Sequence, residues 1–433
     1  MRTIKLVIIV SLFFLSLIAL LFSGALNFIA PDGDIENTAA LSLFTYWAIF
    51  IFCIVIITNI RQKPAETSLL ICTTVSLIII CEIGIRYYAP YQAMMKFGSV
   101  QSREFHHIYP VDAKMFAGFF ESVPVTVSTN EDGLRSKYSR DEFKKNKTKI
   151  MILGDSFTFG LGVKQELAYP EVLEKKLRER FKRDDIAVLN TGIISYSPFL
   201  EGNLYRKLEG FYKPDIVIML LDPTDIGDDI NYAAEAIDNG GNISFEYDAA
   251  MKPGHYGGVY NFLSPYLFYP LVQLQKLFGK SPYDYYRLNI EIDGRKVRNR
   301  FFIYRYPLGK TERYFDQTLE YIKETAQLAK ASDAHFFLVI NPRYHSWNAK
   351  ECPDNWEQGR YSNDEPYQYE YFKFFEKAEH KVAFKIYNLL ADFRSTTIFP
   401  LVFANDPHWN EKGHDFVAEL LKNFITDNML IDR

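Results

Sequence analysis

The stretch Lys149-Ile150-Met151-Ile152-Leu153-Gly154-Asp155-Ser156-Phe157-Thr158-Phe159-Gly160 decides how the chain is read. Its first five residues form a short, mostly apolar run that stops at a glycine, the pattern of a strand buried on both faces. Beyond it, residues 169–182 place Val172, Leu173, Leu177 and Phe181 at helical spacing. Ser156 therefore falls at a strand-to-helix corner, with its hydroxyl over the sheet edge. Backbone N–H groups at a helix start are suited to an oxyanion there. Taken alone, the same serine is an ordinary helix cap.

Working outward, the two periodicities alternate. Strands are predicted at 186–189, 215–221, 335–340 and 385–390, and helices at 200–212, 311–331 and 413–424. This alternation predicts an α/β domain over 146–433, with a mostly parallel sheet between two helical layers. Residues 89–145 read as a connector with a β-rich lead-in at 123–127, ending at the turn-like Asn130-Glu131-Asp132-Gly133. Residues 226–310 and 342–380 are too long and too aromatic for ordinary loops, and are predicted as insertions. In open parallel sheets ligands gather outside the carboxyl ends of the strands.

The composition narrows the function classes. In 433 residues, 48% are hydrophobic and the net charge is -4, which excludes a disordered chain and argues against nucleic-acid binding driven by global charge. Four cysteines exclude a disulfide-dense scaffold, and none has metal-ligand spacing with another. No metal motif or P-loop occurs, so no metal and no cofactor are expected.

The apolar residues are unevenly spread. Runs at 6–30, 41–60 and 68–85 are each long enough to span a hydrocarbon core of about 30 Å, so residues 1–88 are predicted as a module of three transmembrane helices. Arg2 and Lys5 precede the first run, Arg61 and Lys63 follow the second, and the loop between those two carries only acids. Positive-inside then orients the N-terminus to the cytoplasm and places everything after residue 88 on the outer, periplasmic face of the cell (inner) membrane.

The far end of the chain holds Asn405-Asp406-Pro407-His408-Trp409-Asn410-Glu411-Lys412-Gly413-His414, just before the last helix. A neutral histidine can take a serine proton while a nearby carboxylate holds its tautomer. Asp406 and His408 flank a proline that stiffens the turn. The other histidines (His106, His107, His255, His335, His345 and His380) show no such context and are weak candidates.

From about 123 to 428 the chain resembles an SGNH (GDSL-type) hydrolase. GDSFTFG stands where the family has Gly-Asp-Ser-x-Thr-x-Gly, and DPHWNEKGH resembles the Asp-x-His-Trp variant of alginate O-acetyltransferase relatives. The resemblance implies a flavodoxin-like three-layer fold, Ser156 as nucleophile, His408 as base and Asp406 as its orienting acid. It implies an oxyanion hole from Ser156, from Gly192 after the second strand, and from the residue that follows the third strand. There the family has Gly-x-Asn-Asp, whereas this chain has Leu221-Asp222-Pro223-Thr224-Asp225, so Thr224 occupies the asparagine's place. Asp155 and His414 are expected to be structural. Three functions follow: a membrane-anchored serine esterase on acyl esters of a glycan or lipid; an O-acyltransferase of cell-envelope polysaccharide, which needs a membrane acyl-donor partner; or an inactive glycan-binding module.

Overall fold

The computed structural model describes residues 63–69, 72, 73, 76, 95–240, 242–246, 288–355, 357 and 365–431. The predicted spans at 6–30 and 41–60 lie outside the described residues, as does most of 68–85. Among the described residues no helix is long and apolar enough to cross a membrane. The chain divides into two compact units, and the one comprising Phe97–Ala117, Val125–Pro253 and Tyr285–Arg433 holds the sheet.

Five strands build that sheet: β1 (Thr148–Leu153), β2 (Ile186–Asn190), β3 (Ile216–Leu221), β4 (His335–Ile340) and β5 (Lys385–Asn388). Their order is β5-β4-β3-β1-β2, and every neighbouring pair is parallel. The order 2-1-3-4-5 is that of flavodoxin-like sheets, in which the chain reverses direction across β1 and β3 and leaves a crevice at their carboxyl ends. β2 (IAVLN) and β3 (IVIMLL) are buried at every residue. That is why they read as continuous apolar runs and not as alternating ones.

The helices are α1 (Ser156–Phe159), α2 (Tyr169–Phe181), α3 (Pro198–Tyr212), α4 (Asp225–Glu235), α5 (Leu308–Ala331) and α6 (Glu411–Asp427). They pack in two groups, α2 with α6 and α3 with α4 and α5, which supply the two outer layers. α2 and α3 each carry proline in the first turn, where a missing N–H costs nothing, and each ends on a lysine in the left-handed region. Residues 97–117 and 125–145, expected as a connector, contribute Tyr109, Met115, Val127 and Leu134 to the core. The 226–310 insertion opens as helix α4, and helix Glu370–Ala378 lies within 342–380, so neither stretch is uniformly irregular.

One buried cation stiffens the corner after β1. Arg135 is fully buried, and its guanidinium donates to Phe159 O (2.8 Å), Gly160 O (2.6 Å) and Val163 O (2.7 Å). These include carbonyls at the end of α1 that a single-turn helix cannot pair internally. Burial lowers the Arg135 pKa to about 10, which leaves it charged at neutral pH. Arg135→Ala takes the guanidinium from three buried carbonyls, leaving Gly160 O only the Val163 N–H at 3.3 Å and Phe159 O only the Asn190 amide at 3.5 Å. It should lower the unfolding free energy by about 3 kcal/mol or more, read from urea denaturation, with Arg135→Lys intermediate.

Candidate active site

Ser156 begins α1 directly after the tight turn at Gly154. A Cβ at Gly154 would lie 2.1 Å from Thr158 Oγ1, so only glycine lets the strand turn this closely onto its own helix. Asp155 caps α1, its carboxylate accepting from the Phe157 N–H at 2.9 Å. The Ser156 Oγ lies 2.7 Å from His408 Nε2 across a sequence separation of 252 residues. His408 Nδ1 contacts Asp406 Oδ1, which also accepts the His408 backbone N–H at 3.0 Å. A carboxylate only accepts, so Nδ1 carries the hydrogen and Nε2 presents its lone pair to the serine hydroxyl. This is the tautomer a general base requires. Burial works against the imidazolium, but the Asp406 carboxylate outweighs it and holds the His408 pKa above its ordinary value.

The closing block is spelled for its geometry. Val402 and Trp409 pair in an antiparallel bridge, and the Leu401 N–H is held by the Glu351 carboxylate at 2.9 Å. Trp409 is fully buried against Phe157 and Tyr169, fixing the backbone next to His408. Asn410 caps α6 by accepting from Lys412 and Gly413 N–H. His414 Nδ1 accepts the Tyr169 N–H at 3.2 Å, and burial lowers its pKa to about 3, so it is a neutral packing residue.

The structure engages two of the expected oxyanion donors, Gly192 and Thr224, in local hydrogen bonds. The Gly192 N–H donates to Asn190 Oδ1 at 2.9 Å, closing a local side-chain turn. The Thr224 hydroxyl donates to Asp222 Oδ1 at 2.7 Å, and its N–H reaches the same oxygen at 3.0 Å. Each hydrogen is thus already taken by a side-chain oxygen two residues earlier. The Ser156 N–H, first in α1, has no intrahelical acceptor. What Gly192 provides is close approach. A Cβ there would lie 2.3 Å from the Phe159 nitrogen, so this glycine lets the loop after β2 press against α1.

Sequence reasoning missed the buried ions behind the site. Arg343, three residues past β4, donates to Asp222 Oδ1 (2.9 Å) and Glu357 Oε2 (2.8 Å), while Arg300 bridges Asp228 (3.1 Å) and Glu357 (3.3 Å). The rule that strand ends carry chemistry points to Arg343; its partners, Asp222 just past β3 and Glu357 in the 342–380 stretch, are not adjacent to it in sequence. Although burial alone would raise it, the Asp222 pKa is held below the ordinary value by Arg343.

Among the described residues, Asp155, Asp222 and Asp225 bring one carboxylate oxygen each within 4.8 Å of one another. Both Asp222 oxygens are already bonded, to Arg343, Asn341 and Thr224. Burial raises Asp155 to about 7 and Asp225 well above its ordinary value. Asp222 is thus an ionised partner of Arg343 while Asp155 and Asp225 favour their protonated forms, which leaves the group little to offer a cation.

No family model and no curated protein matches the sequence. Solved structures resemble the chain distantly. TesA shares 14% identity, with 65% of this chain and 99% of that one aligned at a TM-score of 0.34. The psychrotrophic esterase EstA from Pseudoalteromonas sp. shares 13%, with 65% and 97% aligned at 0.33. The acetyl xylan esterase AlAXEase shares 14%, with 64% and 99% aligned at 0.31. Likeness at this level assigns neither substrate nor activity to this chain.

The buried acids make stability depend on pH in a definite direction. Burial raises Asp228 to about 6 and Asp155 and Asp229 to about 7, and raises Glu201 and Asp225 further. At these five acids the folded state binds more protons than the unfolded chain above about pH 4, and the buried neutral His107, His345 and His414 offset only part of this below about pH 6.5. That contribution is complete below the unfolded carboxylate range and is lost as pH rises through about 7. Thermal unfolding should show Tm falling from about pH 5 to about pH 8, with a shallower slope in Asp229→Asn. A Tm that rises across this interval would contradict the assignment.

Proposed function

We propose that the chain is a serine ester hydrolase of the SGNH type working through an acyl-Ser156 intermediate. One observation carries the reading: the Ser156 Oγ, His408 and Asp406 hydrogen-bonded in series at the carboxyl edge of a parallel sheet. Ser156 Oγ attacks the ester carbon while His408 Nε2 takes its proton. The same proton passes to the departing alkoxide, and Asp406 steadies the imidazolium between the two events. Water, activated by the same nitrogen, then attacks the acyl carbon, freeing the acid and returning the proton to Ser156. The Ser156 N–H, without an intrahelical acceptor, is the donor this reading assigns to the developing oxyanion. Ser156 and His408 are 7% and 8% exposed, so the reacting atoms are largely shielded from bulk water.

The reading includes a membrane-anchored catalytic domain on the outer face, acting on acyl esters of a glycan or lipid. Its support is the charge pattern around the three apolar runs. A C-terminal alkaline phosphatase fusion should be active and a cytoplasmic reporter at the same position silent. The reverse result removes the envelope substrate.

Full-length chain in detergent micelles should be labelled by a fluorophosphonate probe. Ser156→Ala should abolish labelling, and His408→Ala should slow it by roughly a thousandfold or more, because the serine and its base act as a unit. Labelling should also accelerate as pH climbs through the raised His408 pKa, since only the neutral imidazole accepts the proton. Acyl release to water from an ester substrate supports hydrolysis. Acyl appearance on an added glycan acceptor would instead make the chain a transferase, and a folded protein that is never labelled would sink both.

A further inference from the structure

We propose that a lysine-lined groove at the amino-terminal pole of the sheet is a docking site for an acidic amphipathic helix of a partner protein. The groove has a volume of about 900 Å³ and lies over the starts of β4 and β5. One wall is the second half of α5, and the other is the segment 381–385 that leads into β5. Asn428 and Leu430, just past α6, also border it.

Its charge runs against that of the chain. The whole sequence carries a net charge of -4, yet four lysines and a single carboxylate, Asp333, line this groove. Lys323 shares its charge with Glu320, one turn back on α5, at 2.8 Å. Lys385 donates to the neutral side-chain amide of Asn428. Lys330 and Lys381, on opposite walls, are exposed and form no ion pair among the described residues. Ammonium groups facing one another across a concave surface focus a positive potential into it, and an anion lying between them relieves their repulsion.

The remaining lining selects the kind of anion. Between the lysines the surface is apolar: Ala326 and Val382 contribute to the two walls, and Phe384 meets Phe336 edge-on at 5.1 Å. A small anion or a hydrated acidic chain would pair with the lysines and leave this surface wet, and a bilayer is too flat to enter a concave groove. On α5 the lining residues are Lys323, Ala326, Gln327 and Lys330, at i, i+3, i+4 and i+7, the stripe one helix presents to another. Ala326, in the middle of that stripe, is small enough to let a second helix come close. Met429, 85% exposed between the lining residues Asn428 and Leu430, is a flexible side chain able to fit a partner's apolar face.

Groove and Ser156 lie at opposite ends of the sheet. Ser156 follows the carboxyl end of β1, whereas the groove is built at the amino ends of β4 and β5. A six-residue strand such as β4 separates the two poles by roughly 17 Å. A helix docked in the groove therefore leaves the serine face open, and the inference does not rest on the function proposed above.

Fluorescence anisotropy tests this with full-length chain in phosphatidylcholine nanodiscs, empty discs serving as the blank. The probe is a fluorescein-labelled amphipathic peptide of about 18 residues, with leucine along one face and glutamate on its flanks. It should bind saturably, and more weakly as salt rises. Lys330→Glu combined with Lys381→Glu should weaken binding by roughly tenfold or more, with an unchanged Tm because both side chains are exposed. Ala326→Trp, which fills the groove and leaves its charge alone, should weaken it as much. Peptides with glutamine for glutamate, or serine for leucine, should each lose a similar factor. Absence of saturable binding, or equal binding by the lysine and Ala326 variants, overturns the proposal. Polygalacturonate or phosphatidylglycerol vesicles that bind as tightly as the peptide, with the same loss in the lysine variant, would make the groove a site for acidic glycan or lipid and overturn the docked helix.

Discussion

Burial of the four-residue turn Ser156–Phe159 is the constraint on which the rest of the site depends. All four residues are buried, and a helix this short cannot pair its own backbone groups. Groups at both of its ends are answered from outside the turn. Asp155 takes the Phe157 N–H, and Arg135 takes the carbonyls at the far end. The loop after β2 can close over the turn only because Gly192 has no side chain to strike the Phe159 nitrogen. The Ser156 hydroxyl is left to face His408 Nε2 at 2.7 Å, and the Ser156 N–H has no intrahelical acceptor.

The closing block is built to the same tolerance. Asp406 holds His408 by both its ring and its backbone, while Trp409 goes into the core against the residue that follows the serine. The Ser156–His408 contact is therefore set by packing on either side of it, and it does not rely on the strength of one hydrogen bond. A base held this way keeps a single tautomer, because the carboxylate can satisfy only a protonated Nδ1.

The ionic chain Asp222–Arg343–Glu357–Arg300–Asp228 occupies the ground behind the site. Buried pairs of this kind often add little net stability, since desolvation offsets attraction. Their consequence here is order. Arg343 ties the end of β4 to the end of β3, and in doing so gives Asp222 the charge that draws in the Thr224 hydroxyl. The departure at Thr224 is thus part of a local structure, and a hydroxyl bonded to a carboxylate at 2.7 Å is a poor candidate for a donor to substrate.

Much of the architecture was legible in the sequence. The runs in β1 to β5 and the periodic helices announced a parallel sheet, because apolar pattern and period are local properties of the chain. The strand ends all lie within two residues of their expected places, and α3, α5 and α6 begin two or three residues earlier than expected and α6 ends three later, since caps and first turns carry no apolar signal. Ser156, Asp406 and His408, which the structure brings together, stood out in the sequence because each sits in a compact motif with its own turn chemistry. Only the tertiary structure decided how the hydrogens around them are shared. That Asn190 claims the Gly192 N–H, that Asp222 claims Thr224, that Arg343 reaches Glu357, and that His106 and His107 end up between α4 and the loop after β2 are all matters of distance. Hydrogen bonds act over about 3 Å, and residues that far apart in space can be more than a hundred apart in the chain.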